Sequence, residues 1–353
     1  MLLVVCVLAG CRADNGFPVE QETVLLQLSV ATSEMSGAAG SRANTDYQYP
    51  SCEGEQIQTL RIIIVRPNLV VEHNKFFDLT QPTLETDYYE FKVLAGEEKK
   101  IYLIANEKAE RLSSQEGQTK VSVVEYNFNN ITEGALFPTQ DINELTIKLG
   151  GNSEQLKYGD NKGDILVPMS ECHIVPVENV NMNKLLFVTR LATKFTYHIT
   201  NKSSKPCKLT QLKVGKMANE EYFFPHGKIS YTAVGDDYNT LGQMDLSNYE
   251  VPLIDTNGYY EYTQDLNETL SVNEIKNIPA FYLLEGKYPG EEGYYTSITV
   301  NGENLENKAL ENVKQLPRNT HVVVNITIND KEVNWEVDVF PYVGVDLNPS
   351  FGL

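Results

Sequence analysis

Residues 333–348 read VNWEVDVFPYVGVDLN, and a single period orders them. Val333, Trp335, Val337, Val339, Pro341, Val343, Val345 and Leu347 take the odd positions. Asn334, Glu336, Asp338, Phe340, Tyr342, Gly344, Asp346 and Asn348 fall between them. Successive side chains of a strand point to opposite faces, so alternation with period two marks a β-strand with one apolar face. At ~3.3 Å per residue the run spans roughly 50 Å, two to three times an ordinary strand. Pro341 has no N–H for the ladder and belongs at an edge or a bend. The run therefore reads as two consecutive strands, one kept at home and one free to serve a neighbouring molecule. The competing reading is a hairpin bent at Pro341 that closes its own domain.

The same rhythm recurs through the chain. Short alternating or β-branched runs occupy Thr59–Arg66, Glu90–Leu94, Lys100–Ala105, Lys120–Tyr126, Glu144–Leu149, Lys194–Thr200, Phe281–Leu284, Tyr294–Val300 and His321–Ile328. Turn-forming clusters separate them, among them Gly150-Gly151-Asn152-Ser153, Asp255-Thr256-Asn257-Gly258 and Asn301-Gly302. Many short strands at this spacing make an all-β protein of sandwiches or barrels. Short helices are expected over Leu305–Gln315 and in parts of Glu107–Gln115. The 353 residues suit two domains. A boundary near Asn181–Lys184 gives an N-terminal β-domain over 43–183 and a C-terminal one over 184–353 that ends in the long run.

A second unusual strand lies early. In Thr23–Val30, TVLLQLSV, the side chains of Val24, Leu26, Leu28 and Val30 share one face. Burying that face is worth about 1.5–3 kcal/mol per residue. Behind it comes Thr32–Thr45, TSEMSGAAGSRANT, small, polar and rich in Gly, Ala and Ser, a composition that reads as an exposed, flexible linker. Its one basic residue is Arg42. A trypsin-like protease needs a chain that can become locally extended, so the bond between Arg42 and Ala43 is a processing site in waiting.

The N-terminus carries an address. Leu2–Ala9, LLVVCVLA, is too short to span a bilayer and fits the apolar region of a secretory signal. Leu8-Ala9-Gly10-Cys11 follows and resembles the bacterial lipobox, in which a lipid is attached to the Cys thiol and the signal, here residues 1–10, is cut before it. Several acyl chains, palmitate included, give the stable anchoring that one chain does not. No Lys or Arg precedes Leu2, so the usual basic start of a signal is missing. With Cys6 removed and Cys11 lipidated, Cys52, Cys172 and Cys207 remain. Three thiols leave room for one disulfide and one free thiol, or for none.

Charge and motif content narrow the function. The formal net charge of −19 repels phosphate backbones and anionic lipid surfaces, so nucleic acid is not an expected partner and membrane attachment needs the covalent anchor. His73, His173, His198, His226 and His321 form no metal-spaced pair, and no phosphate-binding loop, dinucleotide fingerprint or nucleophile elbow occurs. Asp160-Asn161-Lys162-Gly163-Asp164 lacks the full calcium-loop pattern and reads as a turn. No enzyme, metal or cofactor is expected.

Taken in order, these pieces resemble the fimbrillins, the subunits of type V pili. The resemblance rests on the lipobox, the early strand and Gly40-Ser41-Arg42-Ala43. It includes Leu60–Val65 with Lys100–Asn106, Leu166-Val167-Pro168-Met169-Ser170, Arg190-Leu191-Ala192-Thr193-Lys194 and Phe281-Tyr282-Leu283-Leu284-Glu285. Arg318-Asn319-Thr320-His321 and the ending from Trp335 to Gly352 complete it. It implies two tandem transthyretin-like β-sandwiches and a precursor lipid-anchored at Cys11 in the outer membrane. It further implies a lipidated propeptide, residues 11–42, that an Arg-specific protease removes together with Val24, Leu26, Leu28 and Val30. The donor strand that replaces them in the next identical or related pilin would draw on Val343, Val345 and Leu347, or on Val337 and Val339. The result is a head-to-tail adhesive filament at the cell surface. The alternative is a monomeric surface lipoprotein, or a pilus-tip adhesin, that binds a glycan or a protein.

Overall fold

A computed structural model describes residues 22–33, 35–36, 53–113, 119–151, 153–156, 166–226, 230–232, 243–245, 259–285, 293–310 and 316–341. Its principal strands, in chain order, are β1 (Thr23–Thr32), β2 (Ile57–Val65), β3 (Val71–Thr83), β4 (Tyr89–Leu94), β5 (Glu97–Ala105), β6 (Met169–Val177), β7 (Met182–Arg190), β8 (Thr193–Asn201), β9 (Cys207–Met217), β10 (Tyr260–Leu270), β11 (Ile275–Leu283), β12 (Tyr295–Val300), β13 (Glu303–Ala309), β14 (Thr320–Ile328) and β15 (Val333–Pro341). Among the described residues helix is confined to Thr139–Asn143 and to single 3-10 turns at Glu53–Glu55 and Phe128–Asn130. The protein is all-β.

The N-terminal half is one seven-stranded sheet in the order β3-β2-β5-β6-β7-β1-β4. It curls until its two edge strands meet through side chains. Phe77 of β3 stacks on Tyr89 of β4 at 3.9 Å between ring centroids, and the Glu72 carboxylate accepts the Leu94 N–H at 2.6 Å. The inner face is a closed core of β1, β2, β4, β5, β6 and β7 side chains. Strand β2 shows why such sheets read as continuous apolar runs. Leu60, Ile62 and Ile64 face that core, while Ile63 and Val65 face a second one on the other side.

The C-terminal half packs a sheet β11-β8-β14-β15 on a sheet β10-β9-β12-β13. Phe281 is the hub between them, with Phe195, Tyr197 and Tyr262 rings at 5.3, 5.8 and 4.5 Å. Offset aromatic contacts of this kind add about 0.5–1.5 kcal/mol each beyond the area they bury.

Two local expectations are corrected. Residues 305–309 belong to β13, not to a helix, and Glu110–Ser113 is a strand paired with Thr119–Ser122. The cause of the first is the turn at Asn301-Gly302, with φ of 53° and 84°. These are the left-handed angles of a tight hairpin turn, which locks β13 antiparallel to β12 from Val300↔Glu303 onward. A ladder fixed in this way outweighs modest helix propensity. Residues 311–315 lie outside the described residues. The passage from the curled sheet to the next one falls at Leu191-Ala192, past the boundary expected at 183/184. Residues 178–181 join β6 and β7 of the same sheet, which pair antiparallel at Met169↔Arg190.

Candidate functional site

β1 is gripped on both sides. It runs parallel to β7, from Leu26↔Met182 to Thr32↔Val188, and antiparallel to β4, from Thr23↔Leu94 to Leu28↔Tyr89. Val24 is 6% exposed, and Leu26, Leu28 and Val30 are 0% exposed. The four side chains singled out from the sequence thus fill one wall of the N-terminal core. Side chains serve β1 where strand neighbours do not. Asn181 Oδ1 accepts the Leu25 N–H at 2.9 Å, and Thr86 Oγ1 accepts the Val30 N–H at 3.0 Å.

The far end of β1 runs into a buried polar cluster at the meeting of the two halves. Ser33 donates its N–H to the Val188 carbonyl at 2.9 Å. Asn319, from the C-terminal half, donates through Nδ2 to the Ser33 carbonyl at 2.9 Å, with Ser33 Oγ at 3.2 Å. Arg190 donates Nη1 to Asn319 Oδ1 at 3.2 Å and Nε to the Glu55 carbonyl at 2.9 Å. The Glu55 carboxylate, itself fully buried, takes Lys194 Nζ at 2.8 Å and the Tyr282 hydroxyl. Parallel pairing of β8 and β14 sets Lys194 opposite His321. Burial and the Lys194 charge push the His321 imidazole down to about 3, so it stays neutral and bonds Thr196 Oγ1 at 3.0 Å. His173 is likewise neutral, lowered to about 4 by burial, with Nε2 donating to the Phe187 carbonyl at 2.6 Å.

Beside this cluster Arg318 is fully buried. It donates to the carbonyls of Phe223 and Tyr222 at 3.0 and 2.6 Å and to the Glu285 carboxylate at 3.2 Å. Glu221 lies 3.8 Å from the same guanidinium and accepts the Glu285 N–H at 2.7 Å. Two buried carboxylates therefore share one arginine.

β15 is an edge strand, antiparallel to β14 from Ile328↔Val333 to Thr320↔Pro341. Val337 packs on the second core, and both Val337 and Val339 lie on β15, paired at home with Val324 and Val322. Cys11, Arg42, Ala43, Val343, Val345 and Leu347 lie outside the described residues, as does Cys52. Cys172 and Cys207 are both free thiols, so they do not pair with each other. The sequence singled out the stretches 190–194 and 318–321 without assigning their residues a role. Charged residues set among apolar neighbours on strands were the available signal, since such groups are buried only when paired.

No family model matches the chain, and neither does any curated protein. Among solved structures, a putative cell adhesion protein from Parabacteroides distasonis superposes with a TM-score of 0.53, over 92% of this chain and 99% of that one, at 10% identity. The chain has that fold. Weaker likenesses are to the tip fimbrial protein Mfa3 of Porphyromonas gingivalis with a C-terminal truncation (TM-score 0.46, 9% identity, 90% of this chain and 99% of that one) and to a fimbrial assembly protein of Parabacteroides distasonis (TM-score 0.44, 11% identity, 90% and 98%). These structural neighbours are fimbrial and cell adhesion proteins, and at such identities the likeness is one of fold.

Proposed function

We propose that the chain is a structural subunit of a type V pilus. It is exported as a lipoprotein anchored through Cys11, cut after Arg42 by an Arg-specific protease, and polymerised by strand donation between subunits. The observation that carries this reading is β1. A strand from the N-terminal segment, upstream of the lone Arg of the linker, fills the interior of a sheet with four buried apolar side chains. Its departure leaves β4 and β7 as open edges over an uncovered core wall. A strand from another subunit restores both ladders and the wall, the mode of recognition in which main-chain hydrogen bonds bind and alternate side chains select. Val343, Val345 and Leu347 supply the incoming face, while β15, with Val337 packed on a core, stays paired with β14. Repeating the contact head to tail gives an open filament. The fold shared with a cell adhesion protein supports a role at the cell surface.

The decisive variant is Arg42→Ala. It should leave an uncut, lipid-anchored precursor that forms no filaments, read by N-terminal sequencing and by the ladder on a mildly heated gel. Filaments formed from that variant would overturn the reading. Cys11→Ser tests the anchor separately. Incorporation of a labelled fatty acid should be lost and the protein should leave the outer-membrane fraction. Unchanged labelling would place the lipid elsewhere.

A further inference from the structure

We infer that Asn319 is a clamp that senses how far a strand reaches along the place of β1, gripping its main chain at the position of Ser33. The inference rests on the removal of β1 proposed above and adds to it a positioning residue from the other half of the chain.

Along its first half β1 is covered on one face, and Leu25 and Gln27 on the other are half-buried. Along its second half both faces are covered, and Ser29 is 1%, Ala31 8% and Ser33 0% exposed. The place of β1 is thus an open trough that becomes roofed at its far end. Under the roof main-chain atoms are held one after another. Thr86 donates its N–H to the Val30 carbonyl at 2.9 Å, Thr32 donates to the Leu84 carbonyl at 2.8 Å, and Ser33 donates to the Val188 carbonyl at 2.9 Å. The last bond of the series runs from Asn319 Nδ2 to the Ser33 carbonyl at 2.9 Å. Every residue has a main-chain carbonyl, so this bond measures the reach of the strand and leaves the choice of side chains to the apolar places of Val24, Leu26, Leu28 and Val30.

Asn319 is aimed by groups that stay in the chain when β1 leaves. Its φ of 61° is left-handed, a conformation that Asn tolerates, and its N–H bonds the Ala192 carbonyl at 2.8 Å. Arg190 Nη1 donates to Asn319 Oδ1 at 3.2 Å, while Arg190 Nε is fixed on the Glu55 carbonyl at 2.9 Å. A guanidinium has donors only, so the amide oxygen must face Arg190 and the amide nitrogen must face Ser33. Cutting after Arg42 takes Ser33 away and leaves Glu55, Arg190, Ala192 and Asn319 in place. The Nδ2 group is then an oriented donor that has lost the Ser33 carbonyl. A strand that stops at the place of Thr32 covers the site without supplying a carbonyl, and a buried donor left unpaired is costly. A strand that continues to the place of Ser33 satisfies it. Asn319 immediately precedes β14, so a residue of the C-terminal half responds to what fills a groove in the N-terminal half.

The test uses the full-length chain cut after Arg42, freed of its own residues 11–42 and kept dilute enough to remain monomeric. The probes are synthetic peptides of β1, amidated at the C-terminus and labelled with a fluorophore at the exposed Glu22. One spans residues 22–33. A second spans residues 22–32; its terminal amide still offers an N–H to the Val188 carbonyl but lacks the Ser33 carbonyl and hydroxyl. A third spans residues 22–33 with Ser33→Ala and lacks the hydroxyl alone, which in the intact chain lies 3.2 Å from Asn319 Nδ2. Fluorescence anisotropy should show the parent binding the first peptide about tenfold more tightly than the second, with the third close to the first. Asn319→Gly keeps the left-handed φ, and Asn319→Asp keeps an oxygen for Arg190 without the donor; in both, the preference for the longer peptide should vanish. A preference that survives both substitutions, or a parent that binds the first two peptides alike, would overturn the clamp and leave the removal of β1 standing. A third peptide as weak as the second would assign the grip to the hydroxyl and overturn the main-chain reading. Failure of every peptide to bind the cut chain would overturn the vacated groove and the clamp with it.

Discussion

Replacing Leu26 and Leu28 together by alanine is expected to destabilise the uncut chain by about 4–10 kcal/mol, taking about 2–5 kcal/mol for each fully buried leucine. Both side chains are wholly buried in the N-terminal core, and β1 has strands on either side that limit collapse into the cavities. A loss of that size is comparable to the whole stability of an ordinary domain, about 5–15 kcal/mol. Denaturant titration of the full-length protein should show it as a lowered unfolding midpoint. Filaments assembled from processed subunits should be unaffected, because β1 is no longer part of them. Equal destabilisation of assembled filaments would mean that β1 stays in the mature subunit, contrary to the proposed processing.

Arg318→Met is expected to cost about 3–5 kcal/mol, the range for removing one partner of a buried ion pair. Met matches much of the length of Arg but leaves Glu221 and Glu285 facing each other and the carbonyls of Tyr222 and Phe223 without their donor. The pH dependence gives an independent check. Burial holds the Glu221 carboxyl well above its ordinary 4.5; the Arg318 charge opposes that shift and Glu285 adds to it. A carboxyl whose folded value is raised binds its proton more tightly in the native state. Its contribution is therefore fully present below about 4.5 and falls away as pH rises through the raised value. Glu221→Gln, which mimics the protonated form, should flatten that fall. Its stability should exceed that of the parent on the alkaline side and match it near pH 4. A parent chain that becomes more stable with rising pH over that window would contradict the assignment. Urea midpoints measured across the window for the three proteins decide both questions.

Much of this molecule could be read from its sequence. The alternation in Val24, Leu26, Leu28 and Val30 predicted a strand with one buried face, and that face is the wall of the N-terminal core. The Asn301-Gly302 pair predicted a turn, and the run Thr59–Arg66 predicted a strand; the turn is there, and the strand spans Ile57–Val65. Periodicity and turn chemistry are local properties, set by side-chain alternation and by the φ values that Gly and Asn tolerate, so a single segment displays them. The same locality explains the errors. Nothing within residues 305–309 reveals that a hairpin turn just before them fixes a ladder with β12.

What surrounds β1 was decided only by the tertiary structure. Its neighbours are β4 and β7, and Asn181, whose side chain caps the Leu25 N–H, lies 156 positions away in the chain. Ser33, Glu55, Arg190 and Asn319 converge from four separate segments to close the end of the groove. The roof over Ser29 and Ala31 leaves no mark in a pattern that alternates as if one face were open. Period two tells which side of a strand is apolar. What lies against each side depends on how the whole sheet curls and where the second half of the chain docks, and those are set by the summed burial of segments far apart in sequence.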